Sequence, residues 1–214
     1  MNRLFRLAFA TALFACLSQS GFGQSMCLDR LLVEENVFYL ACRGTKSKAG
    51  LIAEKFNLTD PCSTHVGIGI MADGKLQIYN VTNEHSGGQS ALVMDSVESF
   101  TGLPDATYFC LWRCRVSSEK IEKLKAILLD YEKKSIAFDF DFDAATDDKL
   151  YCSEFCAKVL CELDAVKFNF PLSEIALDSF YSMALKRKTL KYWPVDFFEQ
   201  TGQFGKIYEI YFDE

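Results

Sequence analysis

Two histidines and nine cysteines supply every imidazole and thiol this chain can use for nucleophilic chemistry. Cys152 stands in Lys149-Leu150-Tyr151-Cys152-Ser153-Glu154, directly after the polar turn Thr146-Asp147-Asp148, at the start of an apolar helical pattern. A sulfur at a helix N-terminus meets unpaired N–H groups and the positive end of the dipole. These favour a thiolate, and they can donate to an oxyanion. Cys152 is therefore expected to be the most acid-shifted thiol. The structural alternative is that Cys152 continues an apolar stripe with Cys156, as buried cysteines often do. His65 opens the apolar segment Ser63-Thr64-His65-Val66-Gly67-Ile68-Gly69, whereas His85 lies in the polar stretch Asn83-Glu84-His85-Ser86-Gly87-Gly88. A strand holds a base more rigidly than a loop, which favours His65. Its structural alternative is a hydrogen-bonded histidine at a strand end.

The elements that must position these groups are legible in the residue pattern. Val37 to Cys42 reads as a buried strand, Ser47 to Phe56 as a short helix, and Thr64 to Met71 as a second strand. Ala72-Asp73-Gly74-Lys75 carries the Asp-Gly signal of a tight hairpin into a strand over Leu76 to Thr82. Glycines at 67 and 69 allow another backbone or a ligand to approach. Tyr108 to Val116 reads as a strand with one wetter face. Ser117 or Ser118 caps an amphipathic helix through Ile121, Leu124, Ile127, Leu128 and Tyr131. A further helix runs from Cys152 to about Leu163, and Lys206 to Phe212 alternates like a closing strand. Hairpins with segregated helices give an α+β class.

Composition bounds the partners. Arg3 and Arg6 precede an apolar run from Leu7 to Leu17, the layout of an export signal, with Gly21-Phe22-Gly23 as a small-x-small cleavage site. Residues 1–23 are thus read as a signal peptide and 24–214 as one domain, exported to a periplasmic or extracellular location. The alternative is a lipoprotein anchored through Cys16. Loss of the two arginines takes the net charge from −6 to −8, which excludes a basic nucleic-acid-binding surface. No metal or organic cofactor is expected: there is no C-x-x-C pair, and Cys110 and Cys114 share a strand on which they cannot converge on zinc. The acidic run Asp139 to Asp143 lacks the glycine and the final glutamate of a calcium loop, with Ala144 and Leu150 in those places. Glu154 reads as a first-turn, cap-strengthening residue.

His65 in T-H-V-G-I-G, Phe138-Asp139 ahead of Leu150-Tyr151-Cys152-Ser153-Glu154, and Tyr192-Trp193-Pro194-Val195-Asp196-Phe197-Phe198 together resemble the permuted papain-like amidases of the YaeF/YiiX type. These are relatives of the NlpC-type cell-wall peptidases and of lecithin retinol acyltransferase. The resemblance spans roughly Val37 to the C-terminus. It implies a permuted papain-like (NlpC-type) fold, in which an antiparallel sheet carrying the histidine packs against helices and the nucleophile sits at a helix N-terminus. It also implies a polar residue on the following strand that orients the imidazole. Asn80 occupies the position where relatives often carry a carboxylate, and Gln77 stands as the alternative. The implied chemistry is acyl transfer through a Cys152 thioester with His65 as base. The backbone N–H of Cys152 serves as oxyanion donor, and a tyrosine, Tyr39 or Tyr151, is a second candidate.

The function expected from this reading is an exported cysteine amidase or peptidase that cleaves a small, peptide-like or acyl-amino-acid amide. Two other classes compete with it. One is a lipid-directed acyltransferase or esterase, the other a binding protein that has lost the thiol chemistry. A membrane partner is expected only with lipid on Cys16.

Overall fold

A computed structural model describes residues 34–83 and 90–212. Residues 1–23, read from sequence as an export signal, with Cys16 among them, and His85 lie outside the described residues. The elements are β1 (Val37–Thr45), α1 (Lys48–Lys55), β2 (His65–Ala72), β3 (Lys75–Val81), β4 (Leu92–Asp95), α2 (Val97–Thr101) and β5 (Ala106–Arg115). They continue with α3 (Ser118–Glu132), β6 (Ala137–Phe138), β7 (Lys149–Leu150), α4 (Cys152–Leu163), β8 (Ser173–Ala176), α5 (Ser179–Ala184), β9 (Thr189–Tyr192) and β10 (Gly205–Tyr211). Six strands form one antiparallel sheet in the order β10-β5-β1-β2-β3-β4. The class is α+β, as the pattern of hairpins and separate helices implies.

The centre of the sheet is apolar on both faces because both are covered. Phe38, Leu40, Cys42, Val66 and Ile68 pack with Leu124, Ile127 and Leu128 of α3 and with Phe155, Cys156, Val159 and Leu160 of α4. Val37, Tyr39, Ala41, Leu76 and Ile78 pack on the other side with Val97 and Phe100 of α2. Two-sided burial explains why β1 reads as a continuous apolar run instead of an alternation. Each large side chain withdrawn from water contributes roughly 1.5–3 kcal/mol, so the α4 stripe ties the helix firmly to β2 and β3.

Local signals set the ends of these elements. Ser117 accepts a hydrogen bond from the Lys120 N–H at 3.3 Å and caps α3, and Ser47 does the same for α1 through Gly50 at 3.0 Å. Asp73 and Gly74 have φ of 51° and 73°. Two successive positive φ values are what a two-residue hairpin turn requires. Beyond the elements read from sequence, the structure adds β4 with α2, and the β8–α5–β9 unit.

Candidate active site

α4 begins at Cys152, and its first turn is fixed from both sides. Glu154 accepts from the Tyr151 N–H at 3.3 Å, which is the carboxylate half of a capping box. From the other side, the Ser153 hydroxyl donates to the Trp193 carbonyl at 2.7 Å, and the Trp193 N–H donates to the Tyr151 hydroxyl at 2.9 Å. The Tyr192-to-Phe198 segment also orders the approach to β2. The Tyr192 hydroxyl donates to the Phe56 carbonyl at 2.7 Å. The buried Asp196 carboxylate accepts from the N–H groups of Leu58, Thr59 and Asp60. One segment near the C-terminus therefore positions both the start of α4 and the chain that leads into His65.

Cys152 and His65 line one cavity of about 500 Å³. The Cys152 sulfur is met by the backbone N–H groups of Val66 and Ser153, so it lies against the first residues of β2. The His65 Nε2 is 2.9 Å from the Asn80 Oδ1, while the Asn80 Nδ2 donates to an Asp95 carboxylate oxygen at 2.9 Å. A carboxylate accepts but does not donate, so Asp95 fixes which end of the Asn80 amide faces the histidine. That end is an oxygen. Nε2 must then carry the proton, and Nδ1 keeps the lone pair that a base needs. The Ser99 hydroxyl completes the chain by donating to the other Asp95 oxygen at 2.7 Å.

This arrangement needs a glycine at position 67. A Cβ there would sit 2.8 Å from the Ile78 Cγ2 and 2.9 Å from the Asn80 Cβ and the Tyr79 carbonyl oxygen. The close approach anticipated at this glycine is that of the next strand, carrying Asn80. Gln77 lies toward the hairpin turn, opposite Ile70, and Asn80 is the residue that reaches His65.

Arg43 pairs with His65 across β1 and β2. Its guanidinium donates to the Phe100 carbonyl at 2.9 Å and lies 4.8 Å from the Phe100 ring centre, while the His65 ring is 5.7 Å from the same ring. Burial, then the Arg43 charge, push His65 down to about 3 against the hydrogen bond to Asn80. Burial also raises the Cys152 thiol, more than Val66, Ser153 and Arg43 lower it. The expectation of an acid-shifted Cys152 is therefore corrected. Desolvation outweighs the helix N-terminus and favours the neutral thiol, as burial and Arg43 favour the neutral imidazole.

Of the two tyrosines considered as oxyanion donors, Tyr151 lines the cavity and Tyr39 does not. Tyr39 pairs with Gly69, four residues along the strands from the Arg43–His65 pair, or roughly 13 Å at the usual strand rise. Tyr39 is withdrawn as a donor on that ground. The Tyr151 hydroxyl accepts from Trp193 and keeps its own proton to donate. Sequence reasoning also missed Arg43 and Asp95. The only signal for the first was a lone basic residue in an otherwise apolar strand, and the second carried none.

Comparison with family models finds no match, and neither does comparison with curated proteins. Among solved structures, the metalloprotein YiiX from Escherichia coli O157:H7 (DUF1105) matches with a TM-score of 0.57 at 17% identity, over 82% of this chain and 97% of that one. The likeness is one of fold.

Proposed function

We propose that this protein is a cysteine hydrolase of the permuted papain-like kind, in which Cys152 attacks a carbonyl carbon and His65 is its base. The observation that carries the reading is the shared cavity wall. A cysteine at a helix N-terminus lies against the strand of an imidazole whose Nε2 is committed to Asn80, leaving Nδ1 as the basic atom. The order His, Asn, Cys along the chain is the order the resemblance implies.

The steps balance on side chains and water alone. The Cys152 thiol proton passes to His65 Nδ1 as the sulfur bonds to the carbonyl carbon of an amide or ester. The Cys152 backbone N–H and the Tyr151 hydroxyl face the developing oxyanion. His65 returns the proton to the departing amine or alcohol as the carbon–heteroatom bond breaks. Water, deprotonated by His65, then opens the thioester and regenerates the thiol. Arg43 opposes a lasting imidazolium, so the proton is held only briefly.

YiiX is a metalloprotein, which raises a metal here as well. The donors do not fit one. His65 Nε2 is occupied by Asn80, the Arg43 cation influences both Cys152 and His65, and among the described residues no three of His, Cys, Asp and Glu are placed to hold an ion.

Export through residues 1–23 and a peptide-like amide as substrate remain part of the proposal. Separate Cys152→Ala, His65→Ala and His85→Ala variants, checked for folding, test it on chromogenic amides and esters. Loss of turnover in the first two by about 10³-fold or more, with His85→Ala active, is expected. Equal loss in both histidine variants contradicts the choice of base.

A further inference from the structure

We infer that residues 173–191 form a lid over the Cys152–His65 cavity, hinged where Ser173 pairs with Tyr192, which opens to admit substrate and closes before the sulfur attacks. The inference rests on the hydrolase reading for what the closed lid serves, and on packing and hydrogen bonding for the motion itself.

The segment is a small unit of its own. β8 and β9 form a separate two-stranded sheet, and α5 lies between them in the chain. Phe180, Tyr181, Ala184, Leu185 and Leu190 of this unit make one wall of the cavity. Of residues 173–191, Leu190 alone is buried. Among the described residues, every hydrogen bond and ion pair of the segment closes within the unit and its joint. The Leu177 N–H donates to the Lys188 carbonyl at 2.9 Å, the Tyr181 N–H to the Asp178 carboxylate at 2.9 Å, and the Ser182 hydroxyl to the Leu177 carbonyl at 3.2 Å, while Lys191 pairs with Glu174 at 3.5 Å. What holds the unit down is apolar. Ile175, Leu177, Leu185 and Leu190 pack with Phe56, Phe138, Phe142 and Tyr151, and Tyr181 meets the Phe56 ring edge-on at 5.2 Å.

Other walls of the cavity are tied to the body by backbone bonds. The Asp139 N–H donates to the Leu150 carbonyl at 3.0 Å below Phe140 and Phe142, and the Lys46 N–H donates to the Asp105 carbonyl at 2.9 Å ahead of α1. At the joint of the unit the chain is anchored. The Tyr192 hydroxyl holds the Phe56 carbonyl, and the Trp193 indole N–H donates to the Phe170 carbonyl at 2.9 Å, which keeps the two ends of the segment together. Opening therefore breaks no hydrogen bond of the lid to the body. Its cost is the re-exposure of a few apolar groups that are mostly half-buried already, as in a local motion of low free energy. Cys152 is only 9% exposed with this wall in place, and closure keeps water from the Cys152–His65 pair during the attack.

The test treats the reduced full-length protein with a bulky fluorescein maleimide and follows each cysteine by peptide mass mapping. It needs no turnover. Cys161, which is exposed, reports intrinsic reactivity, and Cys156, buried in the core, reports any loosening of the fold. Ile175→Ala and Leu177→Ala weaken the packing of the lid without enlarging the cavity, since neither residue lines it. Each is expected to speed Cys152 labelling about tenfold relative to Cys161 as the open population grows, with Cys156 unlabelled. Equal Cys152 labelling in wild type and both variants overturns the lid and leaves a fixed wall. Labelling of Cys156 in step with Cys152 overturns it as well, because access then comes through the core. A wild-type Cys152 that no 4-nitrophenyl ester acylates sinks the hydrolase reading and leaves the labelling result untouched.

Discussion

Asn80 gives its oxygen to His65 and its nitrogen to Asp95, and each bond constrains the other. If Asp95 becomes Asn, the side chain at 95 can donate as well as accept, and nothing then dictates the orientation of the Asn80 amide. Asp95→Asn is therefore expected to lower kcat about tenfold, a fraction of the roughly 10²–10⁴-fold that general acid–base catalysis supplies. KM should hold. The pH profile separates this positioning role from damage to the fold. His65 must be neutral to act as a base, and burial with Arg43 pushes it down to about 3. The acid limb of kcat/KM should thus fall well below the ordinary imidazole value of about 6.5, leaving activity level down to about pH 5 in wild type and in Asp95→Asn. An acid limb near pH 6.5 contradicts the assigned environment. Cys152 and His65 stand out as candidates by residue type and flanking pattern, whereas Asn80 comes only from the family resemblance, with Gln77 as its alternative. Arg43 and Asp95 could not be found either way, since their importance comes from strand pairing and a side-chain relay that no local pattern encodes.

At the level of elements, β2 and β3 lie as close as they do because position 67 has no side chain. Gly67→Ala must push β3 away, and a loss of about 1–3 kcal/mol of stability is expected, together with a fall in kcat as Asn80 moves. Gly69→Ala is the control. Its Cβ would meet the flexible end of Leu76 at 3.0 Å and the Tyr39 Cβ at 3.2 Å, with no backbone atom among the nearest contacts, and a smaller loss with activity retained is expected from thermal melts and assays. The turn at Glu199–Thr201 carries a pH signature of its own. Burial, with Asp60 and Asp196 nearby, raises Glu199 to about 7. A carboxyl whose pKa is higher in the folded state stabilises fully below its unfolded value of about 4.5, and that contribution is lost as pH rises through 7. Glu199→Gln should therefore raise Tm at pH 8 and flatten its decline between pH 5 and 8; an unaltered slope would count against this environment. The central strands, α3 and α4 were readable from periodicity, turn chemistry and caps. The β8–α5–β9 unit was not, because its strands are only four residues long, too short for their alternation to stand out, and most of its residues are exposed or half-exposed. Its inward residues Ile175, Leu177, Leu185, Leu190 and Tyr192 pack with Tyr151, Phe56, Phe138 and Phe142, partners drawn from distant parts of the chain.

Across the whole molecule, the sheet presents its apolar faces to helices, one end of β1 and β2 to a cavity, and the segment around Trp193 holds the two halves of the site in register. The D-F-D-F-D stretch shows how sequence and structure can diverge in meaning. Its acidic residues were weighed as cation ligands, yet Asp139 accepts from the Asp141 and Asp143 N–H groups to shape the loop, and the interleaved phenylalanines line the cavity. Sequence alone points to a candidate nucleophile and base more readily than to a substrate, because such residues have local signatures whereas a cavity wall draws on distant segments. The central claim is that Cys152 becomes acylated with the help of His65. The protein itself contains the comparison needed, since Cys161 is exposed and Cys62 is partly exposed, while Cys152 is buried. Brief treatment of the reduced protein with a 4-nitrophenyl acyl ester, followed by acid quench and peptide mass mapping, measures acylation at each thiol. The account predicts an adduct first and predominantly on Cys152, at least about tenfold slower in His65→Ala. Acylation that favours Cys161 or Cys62, and is indifferent to His65, would contradict it.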